Sequence, residues 1–306
     1  MTLTAAEVRR LLQEREIRPA KALGQNFVAD PNTVRRIVRL AGVQPGDRVV
    51  EIGPGLGSLT LALAEAGARV VALELDRRLA EVVREVTAGL PVAVVIGDAL
   101  RVRFDEVLAA APSGDPTDSS GDPTDPSRHS TGRSGRSASL FGERPWTLVA
   151  NLPYNVATPV VIRILEEAPA IGSLLVMVQR EVGERLAAGP GDEAYGATSV
   201  KVAYWASAEV VGRVPPTVFV PRPRVQSVLV RIRRSPEPAV DPELVGYQRL
   251  FEVVRAGFGQ RRKMLRRSLA GVVSADAFAG AGVRPDARAE EIDLCGWARL
   301  AAWPAT

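Results

Sequence analysis

Short apolar runs alternate along this chain with stretches whose apolar residues recur at helical spacing. The runs, rich in Val, Leu and Ile, are residues 48–52, 68–73, 92–96, 146–150, 174–178 and 225–232, and helical spacing marks residues 59–66 and 77–86. Runs this short, alternating with helices, predict a mostly parallel sheet covered on both faces, the doubly wound α/β class. Two helices precede it. Thr4 and Glu7 form a capping-box pattern ahead of Val8, Leu11 and Leu12. Asp30-Pro31 reads as an N-cap and first-turn proline before Val34, Ile37 and Val38.

The pattern breaks twice. Residues 112–139 contain no large apolar side chain and repeat the pentapeptide GDPTD. Such a segment buries too little surface to offset its ordering entropy, which predicts a disordered insertion. It enters at the amino end of the 146–150 strand, whereas ligands of such sheets sit at the carboxyl ends. The insertion is therefore expected to lie opposite the site and to be dispensable for chemistry. After Arg234 the strand period ends, Pro236, Pro238 and Pro242 make a linker, and helical spacing follows from Glu243. The expected organisation is an α/β catalytic unit at 1–234 and a small all-helical unit at 243–306.

Composition narrows the chemistry. The chain of 306 residues has one cysteine, Cys295, and one histidine, His129. An intramolecular disulfide and a cysteine-rich zinc site are excluded, and the commonest general base is absent outside the insertion. The formal charge is +4 and the pI about 9.6, carried by Arg, with Lys only at 21, 201 and 263. Arginine suits phosphate recognition, but an Arg- and Ala-rich genome would give the same bias. No run is long enough to span a membrane, and the N-terminus lacks the apolar core of a signal peptide. A cytoplasmic, monomeric protein without metal or membrane partner is expected.

Three strand ends carry candidate chemistry. Val49-Val50-Glu51-Ile52-Gly53-Pro54-Gly55-Leu56-Gly57 leads from a strand through a glycine loop into a helix. A nicotinamide site wants G-x-G-x-x-G, but here Ser58 holds the sixth position counted from Gly53. Glu51 instead completes E-x-G-x-G-x-G, which resembles the first motif of class I methyltransferases. Glu74 closes the next strand, where an acid can accept hydrogen bonds from ribose hydroxyls. Asp98, in Gly97-Asp98-Ala99-Leu100, closes the third. Alone it reads equally as a helix N-cap.

A fourth strand runs into Asn151-Leu152-Pro153-Tyr154. An adenine N6 amine is a poor nucleophile because its lone pair is delocalised into the ring. It must be held by acceptors on its hydrogens while the lone pair faces a methyl donor. The Asn151 side-chain oxygen and the Leu152 or Pro153 carbonyl offer such acceptors. Tyr154 offers a ring face on which an extruded base can stack. The proton can leave after methyl transfer, which suits a chain without a usable histidine.

These motifs, with Leu23-Gly24-Gln25-Asn26-Phe27, the segment from Pro215 to Val225 and Gln260-Arg261-Arg262-Lys263, resemble the rRNA adenine N6,N6-dimethyltransferases, on the small-subunit side of that family. The resemblance spans residues 20–302 apart from the insertion. It implies a class I, Rossmann-like fold with S-adenosyl-L-methionine as cofactor. The cofactor contacts it implies are Asn26, the backbone of Val28, Gly53, Glu74, Asp98 and Asn151. Asn151, Leu152, Pro153 and Tyr154 would hold the base, with Phe219 as a second aromatic wall. The implied substrate is two neighbouring adenosines near the 3′ end of small-subunit rRNA, each dimethylated in an assembling subunit. Related enzymes that modify large-subunit rRNA and confer macrolide resistance more often carry Ile in the tetrapeptide. A non-catalytic RNA-binding assembly factor on the same fold is the rival from another class.

For RNA contact, the spacing predicts one amphipathic helix through residues 258–269. Arg262/Arg266 and Lys263/Arg267 fall at i,i+4, with Phe258, Leu265 and Leu269 on the apolar face. Arg261, Arg222 and Arg224 are further candidates, as are Arg35, Arg36 and Arg39.

Overall fold

The computed structural model describes residues 2–19, 24–112 and 144–303. The predicted insertion at 112–139, with His129, lies almost wholly outside them. Helix α1 (Ala5–Glu14) opens on the Thr4/Glu7 capping box, and α2 (Pro31–Ala41) opens on Asp30, whose carboxylate accepts the Thr33 N–H. Strand β1 (Phe27–Val28) lies between them. Then come β2 (Arg48–Ile52), α3 (Ser58–Glu65), β3 (Arg69–Glu74), α4 (Arg77–Val86), β4 (Val92–Ile96) and α5 (Phe104–Ala109). Beyond the undescribed segment follow β5 (Trp146–Asn151), α6 (Ala157–Glu167), β6 (Ile171–Gln179), α7 (Arg180–Ala187), α8 (Ala197–Trp205), β7 (Ala206–Val214), β8 (Phe219–Val220) and β9 (Ser227–Arg234).

Seven strands form one sheet in the order β4-β3-β2-β5-β6-β9-β7, and β1 pairs with β8 separately. Strands β2 to β6 are parallel, while β9 is antiparallel to both β6 and β7. The apolar runs look continuous because alternate side chains feed different cores. Val50, Ile52, Leu148 and Ala150 pack with α5 and α6 on one face. Val49 and Val149 pack with α2 and α3 on the other.

The C-terminal helices are α9 (Tyr247–Gly259), α10 (Leu265–Ser268), α11 (Asp276–Ala281) and α12 (Leu294–Ala302). Their core also takes in Tyr195, Val200 and Tyr204 from the α8 region, and Val240 and Val245 from the proline-rich stretch. The Ser235 N–H donates to the Trp205 carbonyl at 2.9 Å and the Ala239 N–H to that of Tyr204 at 2.8 Å. The stretch read as a linker is thus bonded to the C-terminal end of α8.

The single basic helix expected through 258–269 is not formed. Helix α9 ends at Gly259, residues 260–264 turn, and only the short α10 follows. The reason is tertiary. The first free N–H groups of α10, on Leu265 and Arg266, donate to the carbonyls of Ala287 at 2.8 Å and Pro285 at 3.0 Å. Leu265 and Leu269 are buried as their spacing implied, and the cations sit on a turn and a short helix instead of one rod.

Candidate active site

Strands β2 and β5 are neighbours from which the chain departs in opposite directions, to β3 and β4 on one side and β6 on the other. Their carboxyl ends therefore frame a crevice, the usual ligand position in a doubly wound sheet. A cavity occupies it. Asn26, Val28, Gly53, Glu74, Asp98, Asn151 and Pro153 all line it. Leu152, Tyr154 and Phe219 do not. Sequence reasoning missed several further wall residues, among them Val8 of α1, Phe27, Leu56 and Ser58. Of these, Phe27 and Leu56 stood inside recognised motifs, and Ser58 directly follows one.

Glu74 organises the glycine loop. One of its oxygens accepts the Gly55 N–H at 3.1 Å, and the other accepts those of Leu75 at 2.9 Å and Asp76 at 3.0 Å. Burial raises its carboxyl above the ordinary range against the pull of these three donors. A carboxylate has about four acceptor positions, so capacity remains. Asp98 is partly exposed and closes a turn, with one oxygen accepting the Leu100 N–H at 2.9 Å and the other 3.6 Å from Arg101.

Asn151 ends β5. Its side-chain N–H donates to the Asn26 carbonyl at 2.9 Å, tying the 24–28 segment to the tetrapeptide. The Leu152 side chain points away into the sheet core and is 1% exposed, so only its backbone is available to the site. The Pro153 carbonyl accepts the Val156 N–H at 3.1 Å. Tyr154 is half-buried, and its hydroxyl lies 2.9 Å from Ser227 Oγ. Phe219 stands opposite Val28 across the β1–β8 pair, with its ring packed in the core beside Val28 and Val34.

Glu51 lies under the loop, fully buried, and accepts a hydrogen bond from Thr60 Oγ1 at 2.6 Å. Burial pushes its carboxyl from 4.5 up to about 8, with Thr60 opposing and the charge of Glu74 adding. Between those values the folded chain holds a proton that the unfolded chain has released. Stability therefore falls as pH rises through this window, by at most about 1.4 kcal/mol per pH unit. In thermal unfolding without cofactor, Glu51→Gln is expected to raise Tm by several degrees at pH 8 and to change it little at pH 5. Equal shifts at both pH values would show that Glu51 is not protonated in the fold.

The strand order, with antiparallel β9 between β6 and β7, and a ligand crevice at the β2/β5 switch point define a class I S-adenosyl-L-methionine-dependent methyltransferase. Solved structures share that fold. The chain is similar to the 23S rRNA methyltransferase ErmE, with 26% identity, a TM-score of 0.62 and coverage of 90% of this chain and 98% of that one. It also resembles a dimethyladenosine transferase from Plasmodium falciparum, at 20% identity, TM-score 0.66 and coverage of 90% and 95%. A family model described as ribosomal RNA adenine dimethylase matches residues 18–305, and the chain belongs to that family. Proteins named ribosomal RNA small subunit methyltransferase A are close in sequence. That of Kineococcus radiotolerans is 46% identical, covering 98% of this chain and 91% of the relative. That of Leifsonia xyli is 46% identical, covering 98% of each.

Proposed function

We propose that this enzyme transfers methyl groups from S-adenosyl-L-methionine to N6 of two adjacent adenosines near the 3′ end of small-subunit rRNA, dimethylating each. The observation that carries the reading is the fixed Asn151 amide. Because its nitrogen donates to the Asn26 carbonyl, its oxygen is presented on the opposite side, as the acceptor an adenine amine requires. The second acceptor is the Leu152 or Pro153 carbonyl, and that of Pro153, which takes the Val156 N–H, keeps one lone pair for it. Tyr154 supplies a stacking face. Phe219 is the second wall, and its ring must turn out of the core to reach a base.

The cavity's chemistry fits the cofactor. Glu74 can take a ribose diol on its remaining acceptor positions and Asp98 an adenine amine, while Asn26, the Val28 backbone, Gly53 and Asn151 complete the contacts. The bound cofactor supplies an electrophilic methyl group on a sulfonium. The protein holds the amine in line, withholds water behind the walls formed by Phe27 and Leu56, and needs no strong base, because the proton leaves after the transfer.

The partner is the assembling small subunit, met in the cytoplasm by a monomer. No helix among the described residues is long and apolar enough to cross a membrane. Its rRNA meets exposed cations at two places in the chain, Arg222 and Arg224 before β9 and Arg262, Lys263, Arg266 and Arg267 around α10. Arg261 contributes less directly, since it is paired with Glu290 at 2.9 Å and also donates to the Glu193 carbonyl. The double reversal Arg262→Glu/Arg266→Glu is expected to weaken subunit binding and to reduce the salt slope by about two, one for each phosphate no longer neutralised. An unchanged slope in binding titrations from 50 to 200 mM salt, roughly the informative range, would remove this surface from the interface. Incubation with labelled cofactor and unmethylated subunits tests the function itself. Label is expected in small-subunit rRNA, and label confined to large-subunit rRNA overturns the assignment.

A further inference from the structure

We infer that Ser227 is a positioning residue for methyl transfer, acting as a fixed post that holds the Tyr154 ring in place to stack the target adenine. This deepens the adenine-methylation reading and rests on it. Tyr154 belongs to a turn, where a side chain has several rotamers open to it. Ser227 is the opposite kind of residue. It is the first of β9, is 0% exposed, and pairs with Gln179 of β6 on one side and Val214 of β7 on the other. A hydrogen bond of 2.9 Å joins its Oγ to the Tyr154 hydroxyl, across 73 residues of sequence. The mobile ring is thereby anchored at its far end to a strand locked on both edges.

The turn is held at its near end as well. A Cβ on Gly24 would stand 3.1 Å from the Tyr154 backbone nitrogen, so the 24–28 segment packs directly on the turn. With backbone and hydroxyl both fixed, the ring keeps one orientation, which lowers the entropy lost when a base stacks on it. The arrangement also links the two proposed walls. Phe219 and Ser227 belong to one segment, with Arg222 and Arg224 between them. RNA engaged by those arginines thus bears on the same stretch that sets the tyrosine. Burial raises the Tyr154 phenol above its ordinary value, so it stays neutral at physiological pH and offers a ring, not a base.

The tests are Ser227→Ala, Tyr154→Phe and the double variant in the full-length protein, assayed with S-adenosyl-L-methionine and unmethylated small subunits. Tyr154→Phe keeps the ring and removes only the tether. Each single variant is expected to lower kcat roughly tenfold to a hundredfold, with the KM for the cofactor within about twofold of wild type. The double variant is expected to be no slower than the slower single, because both remove the same bond. Wild-type kcat in Tyr154→Phe would overturn the inference, as would losses that multiply in the double variant. Should Ser227→Ala fail to fold, Tyr154→Phe alone decides. Failure of the wild-type protein to methylate adenine N6 would instead refute the reading on which the inference stands.

Discussion

Asn151→Ala is expected to lower kcat for methyl transfer by about 100- to 1,000-fold, the scale on which a single preorganised hydrogen-bonding group acts at a reacting centre. The residue serves two sides at once. Its nitrogen is committed to the Asn26 carbonyl, so its oxygen has one place to point. Removing the side chain removes the acceptor from the adenine amine and also releases the 24–28 segment. Cofactor affinity should fall less, within about tenfold, because Glu74 and the glycine loop remain. Asn151→Asp is expected to be as inactive as the alanine variant. It keeps an acceptor but sets a carboxylate oxygen against the Asn26 carbonyl, where a donor is required. Single-turnover methylation of small subunits, with calorimetric cofactor binding alongside, checks both. Activity within tenfold of wild type in Asn151→Ala would remove the residue from the reaction.

The second large effect is expected at the glycine loop. Gly55 has φ +61°, in the left-handed region, and a Cβ there would lie 2.8 and 2.9 Å from two carbons of the Phe27 ring. Its N–H also donates to Glu74. Gly55→Ala therefore adds a strained backbone to a clash, and the ring it strikes sits between Asn26 and Val28, the two proposed cofactor contacts that line the cavity. The fold should lose about 1–3 kcal/mol. Cofactor Kd should rise at least about 30-fold, since the loop, Glu74 and the 26–28 segment all shift together. Calorimetric titration and thermal unfolding read the two effects separately. Cofactor affinity within threefold of wild type would show that the loop does not shape the cavity.

The parallel strands and the acids near their ends were legible because the strands are short, mostly apolar runs; Glu74 ends β3, and Asp98 follows the end of β4 by two residues. Strand β7 was not legible. Its alternation is broken by a register shift between Val210 and Gly212, and as an edge strand it is half exposed. Helix α8 was missed for the opposite reason. It has no polar face to set a period, because Val202 faces the sheet core while Val200 and Tyr204 face the helical one. The 258–269 segment shows spacing misleading on its own. The i,i+4 cations are there, but the Leu265 and Arg266 N–H groups donate to the carbonyls of Ala287 and Pro285 instead of to a preceding helical turn. Within the site, residue types at strand ends were readable, whereas pairings between distant segments were not. The Asn151 bond to Asn26 spans 125 residues, and no local pattern encodes it.

The position of β9 bears on how the protein is made. It is the last strand of the sheet in sequence, yet it lies between β6 and β7, both of which leave the ribosome before it. Until residues 227–234 emerge, the nascent sheet carries a gap there, with the β6 edge of Leu174, Leu175, Val176 and Met177 unpaired. The glycine loop and the strand ends around it are synthesised well before that point. A chain interrupted short of Ser227 thus has the residues for the cofactor crevice but an open apolar edge, the kind of surface on which chaperones and proteases act. Insertion of one strand both seals the sheet and delivers the hydroxyl that sets the tyrosine, so aggregation resistance and catalytic readiness arrive in the same folding step.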